Sequence, residues 1–149
     1  AARLLRPGGV FLNHGTCLGT KKHRGVGPSF SGKYVFPDGE LTPVTAQLQI
    51  AADTGLEVRD LESLREHYAI TLRHWVRRLE NMHERALEFV DEPTYRVWRL
   101  FMSGGAFAFT SGILSVFQVL YVKPEASGNS RLPLTRNDWY RSLVQQRTT

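Results

Sequence analysis

The sequence predicts an α/β fold, in which helices cover a small sheet whose central strand is buried on both faces. Residues 113–122 form an apolar run with hydrophobic side chains at odd and even positions, which is typical of a buried central strand. Residues 10–12 are a second short apolar run that follows a turn, as expected of a strand that is covered on both faces. A long helix between these runs is indicated by apolar residues at intervals of four, four, three and four, namely Leu64, Tyr68, Leu72, Trp75 and Leu79.

Size and composition are those of one globular domain. The chain has 149 residues, of which 42% are hydrophobic and 22% charged, and no apolar run approaches the ~18 residues that a membrane span needs. The single cysteine, Cys17, excludes an internal disulfide and a cysteine-cluster metal site, and it fits a reducing cytoplasm. No activating base stands beside Cys17, so a structural thiol is favoured over a nucleophile.

The first fourteen residues predict the end of a helix, a turn and a strand. Residues 1–6 are good helix formers, Pro7-Gly8-Gly9 breaks that helix, and residues 10–12 form the strand. Asn13 and His14 then follow at the predicted strand end, which is where ligands bind in open α/β sheets. The alternative is a capping Asn and a solvated His in a loop.

Residues 15–33 are rich in Gly, Ser and Lys and predict a loop that carries the basic run Lys21-Lys22-His23-Arg24. The net charge is +5, and the basic excess lies in residues 1–40 and 123–149. The ordinary interpretation of the run is a solvated loop, and the sharper one is attraction to anionic lipid or to nucleic acid phosphate. Aromatic residues do not alternate with the basic ones, which disfavours nucleic acid as a partner.

The middle of the chain contains a turn, a helix and an edge strand. Pro37-Asp38-Gly39 predicts the turn, because Pro fixes φ and Gly accepts positive φ. Thr42 is the predicted N-cap, with Pro43 at the first helical position and Gly55 just past the helix end. Leu56–Leu61 then alternates apolar and charged residues, which predicts a strand near a sheet edge.

Three helices and a polar tail complete the predicted secondary structure. The helices cover residues 65–81, residues 83–90, and a segment that begins at Glu92-Pro93. Gly104-Gly105 should weaken the third helix by roughly 1 kcal/mol per Gly relative to Ala. Residues 125–149 are polar and predict a loose tail.

Several motifs in combination carry a family resemblance over residues 1–124. Leu-Arg-Pro-Gly-Gly-Val-Phe-Leu, ending at Leu12, resembles the entry to the fifth strand of class I S-adenosylmethionine-dependent methyltransferases. Asn13-His14-Gly15, the Phe-Pro-Asp-Gly turn that begins at Phe36, and His-Tyr-Ala-Ile-Thr-Leu followed by Trp75 are similar to the cyclopropane-fatty-acyl-phospholipid synthase family.

This resemblance implies the C-terminal part of a Rossmann-like methyltransferase sheet. Residues 10–14, 56–62 and 113–122 would be its fifth, sixth and seventh strands, the last one antiparallel, with inserted helices over an acyl-chain tunnel. Residues 1–124 would thus be the C-terminal half of the domain. The glycine-rich loop that binds S-adenosylmethionine in this family has no counterpart here, so an N-terminal half or a partner chain would supply it.

The resemblance also implies a chemistry. Enzymes of this family transfer a methyl group from S-adenosylmethionine to the double bond of an unsaturated fatty acyl chain, and a bound bicarbonate accepts a proton from the resulting carbocation. His14 and Tyr68 match catalytic, bicarbonate-binding positions, and Thr16 matches a position that contributes a backbone contact. An imidazole and a phenol can both donate hydrogen bonds to such an anion. Without the resemblance, Tyr68 would be interpreted as a core-facing helix residue and His67 as a solvated one.

An apolar substrate path is the third implication, and its candidates are all aromatic. Core packing explains these residues equally well. The substrate would be an unsaturated fatty acyl lipid, met by a cytoplasmic protein at the inner membrane face, and a homo-oligomer is an open possibility. The candidate tunnel residues are Phe36, Trp75, Tyr95, Trp98 and Phe101.

Two alternatives stay open. One is a non-catalytic remnant, or a module that binds lipid or a partner chain, because an unfinished sheet has apolar edges that favour pairing. The other is a methyltransferase that acts on a different substrate.

Overall fold

A computed structural model describes residues 1–21 and 30–139, and within them a three-stranded antiparallel sheet is flanked by helices on both faces. The strand order is β1-β3-β2, so the strand that is last in sequence lies in the centre. The strands are β1 (Val10–Leu18), β2 (Glu57–Ser63) and β3 (Leu114–Val122). The predicted α/β class and the predicted central and edge positions of β3 and β2 are confirmed.

β1 corrects the predicted strand of residues 10–14. It pairs with β3 over nine residues, from Val10 opposite Val122 to Leu18 opposite Leu114, so Asn13 and His14 lie within the strand and not beyond its end. Strand pairing has overridden the glycine and polar residues that indicated a loop. The apolar residues Val10 and Leu12 are 48% and 57% exposed, so the prediction that this strand is covered on both faces is wrong.

Five helices connect and cover the strands within the described residues. They are α1 (Phe30–Tyr34), α2 (Val44–Asp53), α3 (Arg65–Asn81), α4 (His83–Leu87) and α5 (Glu92–Ser111). The predicted bounds of α3 are confirmed, and α4 ends three residues earlier than predicted. α5 begins at Glu92 as predicted and continues through Gly104-Gly105 without a break, because it packs against α3 along its length.

Three local predictions are corrected. Residues 1–6 form a turn, closed by the Leu4 N–H donating to the Ala1 carbonyl, because so short a segment cannot offset the cost of helix nucleation. Pro43, and not Thr42, is the N-cap of α2, while the Thr42 carbonyl accepts from the Leu18 N–H. Of the predicted loop at 15–33, residues 15–18 are strand and residues 30–34 are helix, and residues 22–29 lie outside the described part.

Other boundaries follow the sequence signals. The Gly39 N–H donates to the Phe36 carbonyl and closes the predicted turn. Gly55 follows the end of α2 with φ 78°, as a residue just past a helix end should. The predicted loose tail is corrected for part of its length, because Ser130 is buried and Arg136 forms an ion pair with Asp60 of β2. Residues 140–149 lie outside the described part.

The sheet has a separate hydrophobic core on each face, because side chains alternate along a strand. On one face, even-numbered residues of β3 pack against α3 and α5, with Val116 fully buried. On the other face, odd-numbered residues of β3 pack against α2, with Val119 fully buried. No helix among the described residues is long and apolar enough to cross a membrane.

Candidate functional site

His14 and Tyr68 are 54 residues apart in sequence and meet on the sheet face that α3 and α5 cover. The His14 Nε2 atom is 3.3 Å from the Tyr68 hydroxyl oxygen, and the two ring centroids are 5.5 Å apart. The sequence-predicted pair is therefore brought together in space. His14 is exposed and Tyr68 is half-buried, so a small ligand can reach the pair from one side.

Tyr68 is held in place from two directions. The Leu64 N–H, at the start of α3, donates to the Val116 carbonyl of β3 at 2.9 Å and fixes the first turn of the helix against the sheet. The Tyr68 ring then packs edge-on against Phe109 of α5, with centroids 5.5 Å apart. These contacts leave the Tyr68 ring beside that of His14, with its hydroxyl within reach of Nε2.

Gln118 of β3 contacts the other nitrogen of His14. The two residues lie directly opposite each other in the β1–β3 pairing, and their side chains therefore project to the same face. The Gln118 Nε2 atom is 3.0 Å from His14 Nδ1. Both ring nitrogens of His14 consequently have a polar neighbour, one from the sheet and one from α3.

Thr16 lies two residues beyond His14 on the same strand face, opposite Val116. The Leu18 N–H donates to Thr42 across the outer edge of β1, and the Gly9 carbonyl accepts from Lys123 on the β3 side. Backbone groups alternate between the two sides of an antiparallel strand. The N–H groups of His14 and Thr16 therefore point to the outer edge, which allows the backbone role predicted for Thr16.

Cys17 lies on the opposite face of β1 and belongs to a different polar cluster. Its buried thiol donates to the Gly15 carbonyl and accepts from Gln47 of α2, whose side chain also accepts from Asn13. Burial raises the pKa of the Cys17 thiol, and the hydrogen bond from Gln47 opposes that rise only in part. Asn13, which the sequence grouped with His14, thus faces away from it.

The five candidate tunnel residues do not form one group. Phe36 and Trp98 both contact Phe101 edge-on, with centroids 5.6 and 5.7 Å apart. Tyr95 is buried and packs against His83, as a core residue does. Trp75, on α3, is 46% exposed.

Two surface cavities lie near the site without including it. One, of about 430 Å³, lies between α3 and α5 and is lined by Arg73 and Thr110 among others. The other, of about 580 Å³, lies between β1 and α2 and is lined by Asn13 and Gln47 among others. Neither is lined by His14, Tyr68 or the candidate tunnel residues, so the tunnel stays a prediction.

Comparison with known proteins identifies the family to which the chain belongs. The family model for mycolic acid cyclopropane synthetase matches residues 1–119. The chain belongs to the mycolic acid cyclopropane synthetase family. One relative of the chain is a probable fatty acid methyltransferase from Pseudomonas putida, which is 46% identical over 144 residues. The match covers 92% of this chain and 36% of that protein. Another, the probable fatty acid methyltransferase Rv3720 of Mycobacterium tuberculosis, is 38% identical over 87% of this chain and 30% of its own length.

Solved structures of the family match as well. The cyclopropane synthase MmaA2 from Mycobacterium tuberculosis superimposes with a TM-score of 0.72 at 25% identity, covering 80% of this chain and 46% of that one. The mycolic acid cyclopropane synthase CmaA1, complexed with SAH and CTAB, superimposes with a TM-score of 0.67 at 27% identity. The match covers 76% of this chain and 44% of that one. The structural neighbours are class I methyltransferases, and the chain spans about a third of the length of the curated relatives it matches.

Sequence reasoning missed Gln118. It is the one amide in a mainly apolar run, which also contains Ser115 and was predicted to be a buried central strand. A buried polar side chain needs a hydrogen-bonding partner, and that requirement was the available signal. The partner itself could not be named, because it depends on the pairing of β1 with β3.

Proposed function

We propose that this chain forms part of an S-adenosylmethionine-dependent methyltransferase of the cyclopropane synthase type. It methylates or cyclopropanates the double bond of an unsaturated fatty acyl chain, and a bicarbonate ion accepts the proton that the carbocation loses. The observation that carries the proposal is the meeting of His14 with Tyr68 at 3.3 Å, on the strand and helix where the family motifs lie. The family membership of residues 1–119 supports the class of reaction.

The donors of this site suit a small anion. When bound, S-adenosylmethionine supplies the methyl group and bicarbonate supplies the base. The Tyr68 hydroxyl, held by the His14 imidazole beside it, offers one neutral donor to the anion, and the outward N–H of Thr16 offers a second. Neutral donors orient an anion without neutralising the oxygen that has to accept a proton.

The aromatic cluster formed by Phe36, Trp98 and Phe101 is our candidate for the acyl path. Phe101 precedes Phe109 by eight residues on α5, which is about 12 Å along a helix axis at 1.5 Å per residue. Phe109 contacts Tyr68, so the cluster lies about 12 Å from the proposed site along α5. A long acyl chain can span that distance. Replacing Trp98 by Ala should raise KM for long acyl chains more than for short ones, and an equal effect on both would contradict this path.

The central experiment compares variants of the pair in the full-length protein that carries this chain. We expect His14→Ala and Tyr68→Phe each to lower kcat by about 10²–10⁴-fold, the usual loss for a group that acts in acid–base chemistry. The matched control is His67→Ala, because His67 adjoins Tyr68 in sequence, is exposed and should leave kcat unchanged. If both site variants stay within about twofold of the unmodified protein, their assigned role is wrong.

Contact with an anionic membrane is a further part of the proposal. The basic run Lys21–Arg24 supports it by charge, although residues 22–24 lie outside the described part. Binding to vesicles that contain anionic lipid should fall when these four residues are replaced by Ser, and should fall with added salt. Binding that responds to neither change would contradict the electrostatic contact.

A further inference from the structure

We propose that Gln118 is a positioning residue that fixes the tautomer of His14 and so directs the proton of the Tyr68 hydroxyl away from His14. This inference rests on the proposed function for its catalytic consequence, while its structural part stands alone. It starts from the two contacts of the imidazole, 3.0 Å from Nδ1 to Gln118 and 3.3 Å from Nε2 to Tyr68.

The amide nitrogen of Gln118 determines where the His14 proton lies. A side-chain amide nitrogen carries two hydrogens and has no acceptor capacity, so it can only donate. Nδ1 of His14 must therefore accept, and a neutral imidazole that accepts at Nδ1 carries its hydrogen on Nε2. The contact with Gln118 thus selects the Nε2–H form.

The Nε2–H form in turn orients Tyr68. Nε2–H donates to the Tyr68 oxygen at 3.3 Å, and the single hydroxyl proton of Tyr68 is then free to point toward a ligand. Accepting one hydrogen bond also polarises the hydroxyl and makes it a better donor. In the other tautomer Nε2 would accept from Tyr68, and the phenol proton would be turned inward, away from the ligand.

Gln118 is well placed to impose this choice. It lies on the central strand, between Val116 and Val119, and both of these side chains are fully buried. Its Cα lies directly opposite that of His14 in a continuous ladder. The backbone beneath the amide is therefore fixed by packing on both faces of the sheet, which restricts where the amide can reach.

The direct test is the tautomer of His14 in the full-length protein, labelled with ¹⁵N-histidine and observed by long-range ¹H–¹⁵N NMR. At about pH 8.5 free histidine is neutral, and the His14 signals are assigned by their loss in His14→Ala. We expect the Nε2–H pattern in the unmodified protein. Gln118→Glu should convert it to Nδ1–H, because a carboxylate only accepts, and Gln118→Leu should give a mixture. The control is Gln49→Glu, at an exposed position of α2, and it should leave the pattern unchanged.

Turnover provides the second readout. Gln118→Glu and Gln118→Leu should lower kcat by about tenfold, the ratio expected for the loss of one neutral hydrogen bond, with KM for the acyl substrate within about twofold. An Nδ1–H pattern in the unmodified protein, or a pattern that Gln118→Glu does not alter, would overturn the inference. The expected pattern combined with normal turnover of His14→Ala would confirm the tautomer assignment and overturn the proposed function instead.

Discussion

Side chains on the two faces of β1 differ in their exposure to solvent. His14 is exposed, whereas Cys17 is fully buried and hydrogen-bonded to Gln47 and Gly15. A buried thiol with a raised pKa is a poor nucleophile, because the thiolate is the reactive form. The structure therefore supports a structural role for Cys17.

Alkylation tests that role of Cys17. We expect iodoacetamide to modify the native protein at pH 7.5 at least about tenfold more slowly than the urea-unfolded protein, since both burial and a raised pKa oppose attack. Mass spectrometry over time gives both rates. Equal rates would show that the thiol is accessible and reactive in the fold.

At the next scale, the start of α5 depends on two carboxylates. The Asp91 side chain accepts from the Thr94 N–H at 3.0 Å and caps the helix, and hydrogen bonds from Thr94 lower the pKa of Asp91. Glu92 bonds to Arg96 and His83, and these two contacts, Arg96 first, lower the pKa of its carboxyl. The start of α5 is therefore more stable when the carboxyls of Asp91 and Glu92 are both ionised.

This preference predicts an acid sensitivity. A carboxyl whose pKa is lower in the fold than in the unfolded chain contributes stability above the unfolded value, near 4, and that stability is lost as the pH falls through the folded value. Asp91→Asn keeps an N-cap acceptor without the charge, so it should flatten the decline of Tm below about pH 4.5. Asp38→Asn, in an exposed turn, is the control. An unchanged decline in Asp91→Asn would contradict the prediction.

The junction between β1 and the end of α5 requires a glycine. Gly19 follows β1, and its N–H donates to the Ile113 carbonyl at 2.8 Å. A Cβ at this position would stand 2.1 Å from the Gly112 carbonyl oxygen, which is far inside van der Waals contact. The close approach joins two segments that are more than ninety residues apart in sequence, and it fixes the register in which β1 enters the sheet.

Two alanine substitutions separate packing from helix propensity. Gly19→Ala should destabilise the protein by about 1–3 kcal/mol or more, because the backbone must shift to admit the new methyl group. Gly104→Ala is the matched control: it lies within α5 with no atom within 4 Å of its Cβ position, and it should stabilise by about 0.5–1 kcal/mol. Urea unfolding measures both. A neutral Gly19→Ala would show that the junction is adaptable.

For the whole molecule, the main consequence concerns the cofactor. The described residues supply the proposed bicarbonate site, and we assign no residue of this chain to S-adenosylmethionine. β1 is an edge strand with exposed Val10 and Leu12, which suits the addition of a further strand. We propose that a further part of the sheet, in the same protein or in a partner chain, supplies the cofactor site.

Calorimetry with the 149-residue chain tests this division. We expect no measurable binding of S-adenosylmethionine at micromolar concentrations, and binding once the remaining part of the methyltransferase is present. Circular dichroism of the same sample shows whether the isolated chain is folded, so that a failure to fold is not taken for a failure to bind. Micromolar affinity of this chain alone would overturn the assignment of the cofactor site elsewhere.

Local signals in the sequence were sufficient for several elements. The four- and three-residue spacing of apolar residues determined both ends of α3, and two-sided hydrophobicity determined that β3 is central. Both signals depend only on which face of an element is apolar. The same signals failed for residues 1–6 and for the length of β1, because those outcomes depend on nucleation cost and on a pairing partner a hundred residues away.

The sequence by itself predicted the class of fold, the family and the two side chains that we propose to form the bicarbonate site. Only the tertiary structure decided that His14 lies within β1, that Asn13 faces the other side of the sheet, and that Gln118 stands at the second nitrogen of the imidazole. The physical reason is register. A strand shifted by one residue turns every side chain to the opposite face, and the register of β1 is set by its nine-residue pairing with β3.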